Sequence, residues 1–155
     1  MITSNLPPLL KNITCSVTGH RILLSNFDFK QLKSDLTKII ESGYSVFLTG
    51  MAQGFDTECF KALLCLKKDY PQIKICAVVP CADQEKYFSS TEKETYRFLI
   101  SKVDYLARED RAYFKGCMLL RNNYLSSLRM IIVLKIPSVI LYCLSSSFGN
   151  SALHS

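Results

Sequence analysis

Two short stretches of the chain carry residue types suited to holding an anion. In "SVTGHR", residues 16–21, a run of β-formers stops at Gly19 and gives way to His20 and Arg21. In "SVFLTGMAQGFD", residues 45–56, a second apolar run stops at Gly50 and continues to Gly54 and Asp56. Glycine lets the backbone approach a ligand closely and adopt positive φ. Arg21 can supply a forked, charge-assisted contact to a phosphate or carboxylate. His20 can donate or accept a hydrogen bond, and gains charge as pH falls. Gly54 opens a helical pattern, and the first N–H groups of a helix lack internal partners and favour anions. Asp56, in the first turn of that helix, can accept hydrogen bonds from ribose hydroxyls.

Plainer readings compete with each of these. Gly19 and Gly50 can simply make tight turns, and Asp56 can serve a helix start. A neighbouring His and Arg can be ordinary surface. The Gly50–Gly54 spacing lacks the lysine and hydroxyl residue of a P-loop and does not match G-x-G-x-x-G. What points to a site is the joint pattern of two glycine-ended strands plus a helix-opening Gly-Phe-Asp.

The elements that would position these residues follow from hydrophobic periodicity. Residues 13–18, 45–50 and 73–80 read as strands, and 103–107 as a fourth. The third is almost wholly apolar, as expected of a strand buried on both faces of a parallel sheet. Phe29, Leu32, Leu36, Ile39 and Ile40 form a helical stripe within 28–42, with Gly43 in C-cap position. Phe55, Cys59, Ala62, Leu63 and Leu66 form another. A third helix, "SSTEKETYRFLISK", offers Ser90 or Thr91 as cap with Glu94 completing a capping box. A fourth follows Gly116, with Met118, Leu119, Asn122 and Leu125 on one face. Strands alternating with helices predict an α/β, Rossmann-like three-layer α/β/α fold with a mainly parallel sheet. Ligands of such sheets bind beyond the carboxyl ends of the strands. Those ends carry Thr18 to Arg21, Thr49 to Gly54, and Pro80, which turns the chain at the rim, with Cys81 and Ala82.

With 155 residues, 48% of them apolar and 21% charged, the chain suffices for one domain over 1–155 with a real core. The formal charge is +6, but the basic residues are scattered. The charge reads first as solvated surface, next as attraction for a small anion, and last as a nucleic-acid groove. Seven cysteines contain no C-x-x-C and no zinc pattern, and read as small buried hydrophobes of a reducing cytosol. The N-terminal "MITSNLPPLLKN" lacks the features of a signal peptide. The most hydrophobic segment, 130–144, is too short to span a bilayer and is interrupted by Lys135 and Pro137. The expectation is a cytoplasmic protein with no membrane partner, no metal and no resident cofactor beyond a nucleotide-like ligand.

Four ordered blocks, "CSVTGHR", "GYSVFLTGMAQGFDTECFKALLCLKKDYPQIKICAVVPC", "KVDYLA" and "CMLLRNNYL", resemble the YpsA/YoqJ-like branch of the SLOG superfamily. The resemblance covers roughly residues 12–127. That superfamily has a Rossmann-like fold and includes the DNA-processing protein DprA and the LOG phosphoribohydrolases. It implies a domain that binds a nucleotide or a nucleotide-derived ligand. The family pattern T-G-H-R falls on Thr18, Gly19, His20 and Arg21. G-x-A-x-G-x-D falls on Gly50, Ala52, Gly54 and Asp56, with Gln53 between. An R-N pair falls on Arg121, a possible clamp, and Asn122, which can equally bond a loop carbonyl. Relatives continue with an aspartate, a strand and a glycine-threonine loop, whereas residues 128–155 read otherwise. A shift of reading frame near residue 127 would account for the departure. Residues 130–144 could still add a strand by hydrophobicity alone, or stay exposed and promote self-association.

Three functions fit these features. The first is binding or sensing of a small, nucleotide-derived anion. The second is LOG-like hydrolysis of an N-glycosidic bond, with Asp56 or Glu85 as the carboxylate, but the signature P-G-G-x-G-T-x-x-E is absent. The third is DprA-like DNA binding, least favoured because the charge is scattered and no clear base-stacking stripe is visible in the sequence.

Overall fold

A computed structural model of the chain realises the alternation of strands and helices. It describes residues 2–4, 13–23, 25–121, 131–134, 140–141 and 153–154. The elements are β1 (Ile2–Ser4), β2 (Thr14–Gly19), α1 (Phe29–Glu41), β3 (Val46–Thr49), α2 (Phe55–Lys67), β4 (Lys74–Val79), α3 (Ser90–Ile100), β5 (Tyr105–Glu109), β6 (Ile131–Leu134), β7 (Ile140–Leu141) and β8 (Leu153–His154). A helical turn over 117–121 follows β5.

One sheet has the order β1-β5-β4-β3-β2-β6. Its pairings are parallel except for β1, which lies antiparallel on β5. The chain is thus an α/β protein with a Rossmann-like, mainly parallel sheet. β2 through β5 sit side by side in sequence order, and β6 then adds on the far side of β2. The winding therefore reverses at β2, the place where such sheets leave a crevice for ligands. Of the two readings of residues 130–144, an added strand or an exposed segment, the first is met by β6 over Ile131–Leu134, while Lys135 and Pro137 lie outside the described residues.

Alternation along the strands divides the core. Phe47, Ile75, Ala77 and Val79 pack with Leu36, Phe60, Leu63 and Leu99 from the three helices. Val46, Leu48, Cys76, Val78 and Ala107 form a second buried cluster. Burial on both faces explains why β4 is apolar from Ile75 to Val79, after the exposed Lys74. For the second face, the three-layer expectation falls on the helix after Gly116, of which 117–121 are described.

Local signals set the element ends. Asp28 caps α1 by accepting the N–H groups of Lys30 and Gln31, and Gly43 follows its end at φ +112°. α3 starts one residue before the expected position. Ser89 is the cap, and Glu92 rather than Glu94 closes the capping box. β5 begins at Tyr105 because Asp104 is committed elsewhere, accepting the Ile75 N–H at 2.8 Å and pairing with Lys67. After Gly116 the buried residues are Cys117 and Arg121, one turn apart, whereas Leu119 is exposed. The expected apolar face at Met118 and Leu119 is therefore corrected, and Asn122 and Leu125 lie outside the described residues.

Candidate functional site: the strand-end cleft

The loops after β2 and β3 meet. Gly54 has φ +78°, and a Cβ there would overlap the backbone carbonyl of Arg21. The Phe55 N–H donates to the His20 carbonyl at 3.0 Å. Gly19 packs so closely on Phe55 that a Cβ would run into its ring. Gly19 and Gly54 thus serve close approach of the two loops, and Gly54 a left-handed backbone as well, while a Cβ at Gly50 would meet the Arg121 guanidinium at 2.9 Å. The first amide of α2 is taken by His20, which corrects the expectation that this helix start is wholly open to an anion.

Beneath the loop lie two charges. Asp56 is only 3% exposed and accepts the Ala52 N–H at 3.2 Å through Oδ2. Its Oδ1 is buried without a hydrogen-bond partner. Burial raises its pKa to about 6, against the lowering pull of Arg121 and of the amides of Ala52, Gly19 and Gly50. Arg121 is also buried and donates from Nη1 to the Gly50 carbonyl at 3.1 Å. Burial lowers its pKa, while Asp56 opposes that shift. Gln84 adds a third anchor, its Nε2 donating to the carbonyls of Gly50 and Met51. Met51 itself takes φ +57°, a strained value for a side chain of this type.

Above this floor is a cleft of about 400 Å³. Arg21, Ala52 and Gln53 line it, as expected, together with Cys81, Asp83, Gln84, Tyr87, Phe88, Tyr113 and Met118. Arg21 is exposed there, whereas His20 is exposed but is not among the lining residues. Several expected members stand elsewhere. Asp56 does not line the cleft and has no surface to offer a sugar, so its predicted ribose contact is corrected to a place under the loop. Glu85 faces Arg97, whose Nε lies 3.0 Å from Oε2, and so is not a cleft carboxylate. Pro80 is buried at the end of β4 and is not among the lining residues. The Thr18 backbone pairs with Val133, and Asn122 falls outside the described residues.

Sequence reasoning missed the aromatic wall. Tyr87 is 86% exposed and Tyr113 60% exposed, yet both line the cleft with Phe88. The fold brings 80–88 and 110–114 together: Ala82 N–H donates to the Arg111 carbonyl, and Tyr113 N–H to Asp83 Oδ1 at 2.6 Å. Their available signal was "DQEKYF", an aromatic pair in a turn-forming segment between β4 and α3. One of the two grounds for disfavouring nucleic acid, the lack of a stacking surface, is therefore weakened by these exposed rings, while the other, scattered charge, stands. Among the described residues no cluster of metal-ligating side chains occurs, and no helix is long and apolar enough to cross a membrane.

Known proteins agree with this architecture. DNA processing protein A of Helicobacter pylori, which binds single-stranded DNA, superposes with a TM-score of 0.56 at 16% identity. The match covers 86% of this chain and 67% of that one, and shows a shared fold. A UPF0398 protein of Levilactobacillus brevis is 31% identical over 91 residues, 59% of this chain and 48% of its own length. UPF0398 protein YpsA of Bacillus subtilis is 27% identical over 78 residues, 50% of this chain and 43% of that protein. The chain spans about half the length of the curated relatives it matches. Residues 27–126 match the family model YpsA, that of the YspA SLOG family. With the loop of Gly50 to Asp56, Arg121, β3 to β5 and all three helices α1 to α3 inside that match, the chain belongs to the YspA SLOG family.

Proposed function

We propose that this protein binds a small anionic ligand, a nucleotide or nucleotide derivative, in the strand-end cleft, as a binding or sensing module rather than a hydrolase. The single observation that carries this reading is the convergence of the exposed Arg21 guanidinium with Ala52 and Gln53 on one cleft at the point where the sheet reverses. Its volume lies within the range of about 300–1,000 Å³ usual for small-molecule sites. The left-handed Met51 and Gly54 are consistent with a loop held in shape for a ligand. A hydrolytic role finds less support, since Asp56 is sealed and Glu85 is paired with Arg97.

Thermal shift with AMP, ribose 5-phosphate and inorganic phosphate tests the reading, with chromatography for released base. The expected outcome is stabilisation by a phosphate-bearing compound, no release of base, and affinity at least about tenfold lower in Arg21→Ala. Absence of any shift, or wild-type affinity in Arg21→Ala, overturns the site. Released base moves the reading to phosphoribohydrolase chemistry. Single-stranded DNA is the second ligand to try, because the fold neighbour binds it. Retention with a steep salt dependence would mark that mode.

A further inference from the structure

We propose that the outer wall of the cleft is a stacking subsite for a flat heteroaromatic ring, held by Tyr87 and Tyr113, so that the preferred ligand is a free nucleoside phosphate rather than a sugar phosphate. This rests on the anion reading above and adds the other end of the ligand to it.

Scattered apolar residues on a surface mean little. Here two of the six large, exposed apolar side chains among the described residues line the same cleft as Arg21. They are held there by a bonded framework. Asp83 accepts the Tyr113 N–H, Ala82 bonds Arg111, and Gln84 ties the same segment to the carbonyls of Gly50 and Met51. Phe88, also in the lining, is fixed edge-on against Tyr96 with ring centroids 5.7 Å apart. The loops that carry the guanidinium and the phenol rings are thereby one unit, so the ring subsite and the anion subsite keep a set separation.

The chemistry suits a nucleoside phosphate. A tyrosine face stacks on any base, because every base has a π-face. Lys86 lies 5.4 Å from the centre of the Tyr87 ring and brings a second cation to the same rim. The cleft volume is that of a small-molecule site, which favours a mononucleotide over a strand.

The test compares affinities of AMP, ribose 5-phosphate, adenosine and oligothymidylates of increasing length, using the full chain. The readout is calorimetry, with thermal unfolding as the check on folding. Wild type is expected to bind AMP about tenfold or more tightly than ribose 5-phosphate. The Tyr87→Ala/Tyr113→Ala variant should lose that ratio while keeping its affinity for ribose 5-phosphate, and Tyr87→Phe should retain it. Equal wild-type affinities for the two phosphates, or undiminished discrimination in the double variant, overturns the ring subsite and leaves the anion site standing. Adenosine binding that depends on the tyrosines, without ribose 5-phosphate binding, supports the ring subsite and removes the anion reading. Failure of all four probes overturns both. Affinity that rises with oligothymidylate length beyond that for AMP overturns the mononucleotide assignment in favour of a strand.

Discussion

Beneath the loop after β3, Asp56 and Arg121 are almost entirely withdrawn from water, whereas at the cleft rim Arg21, His20 and Tyr87 are exposed. Both regions draw on one short set of motif residues. The family pattern therefore divides into two jobs. Gly19, Gly50, Gly54, Asp56 and Arg121 shape the loops from within, and Arg21, Ala52 and Gln53 line the cleft. Residues adjacent in the motif can thus have opposite energetic roles, because burial decides whether a charge organises the chain or faces a guest.

The strongest challenge to that division is Gly54→Ala. The new methyl would meet the Arg21 carbonyl and occupy a left-handed backbone, so a loss of about 3 kcal/mol or more is expected from urea unfolding. Gly43→Ala is the control, since Gly43 also has positive φ but nothing within 4 Å of the added carbon, and about 1 kcal/mol should suffice there. Similar losses at the two positions would mean that contact between the loops contributes little.

Next comes the pH dependence of Asp56. Its folded pKa of about 6 exceeds the ordinary 3.8, so the folded state holds the proton more firmly than the unfolded chain. The stability it contributes is complete below about pH 4 and is lost as pH rises through about 6, on the order of 3 kcal/mol in total. Glu109, held down at about 2 chiefly by the hydrogen bond from Arg111, acts with the opposite sign at lower pH. Unfolding midpoints measured from about pH 4.5 to 7 should fall in wild type and stay nearly level in Asp56→Asn. A level wild-type curve would place Asp56 in contact with water.

The smallest effects belong to the rim. Arg21→Ala and His20→Ala should leave unfolding free energy within about 0.5 kcal/mol of wild type. A loss at Arg21 approaching that of Gly54→Ala would erase the distinction between rim and floor.

Much of this was readable in the chain. The apolar runs of β2, β3 and β4 and the stripes of α1 and α2 carry their own period, so the sheet and its helices follow from them. Gly19, Gly50 and Gly54 were legible because only glycine answers their steric demand. The roles of Asp56 and Glu85 were not, since a carboxylate near a helix start looks the same whether its partner is a sugar, an amide or Arg97. The aromatic wall had no period at all: Tyr87 and Tyr113 lie in irregular segments, and only the bonds from Asp83 and Ala82 bring them together. β1 was too short to stand out, and its antiparallel place depends wholly on β5.

The position of β6 carries a consequence for biosynthesis. Ser16 to Gly19 receive their outer neighbours, Ile131 to Leu134, only after more than a hundred further residues have been made. Until then the emerging polypeptide holds β2 with one unpaired flank, the kind of bare border that invites another strand. Translation pace, or a chaperone that shields that border, would then govern how much product escapes clumping before β6 docks.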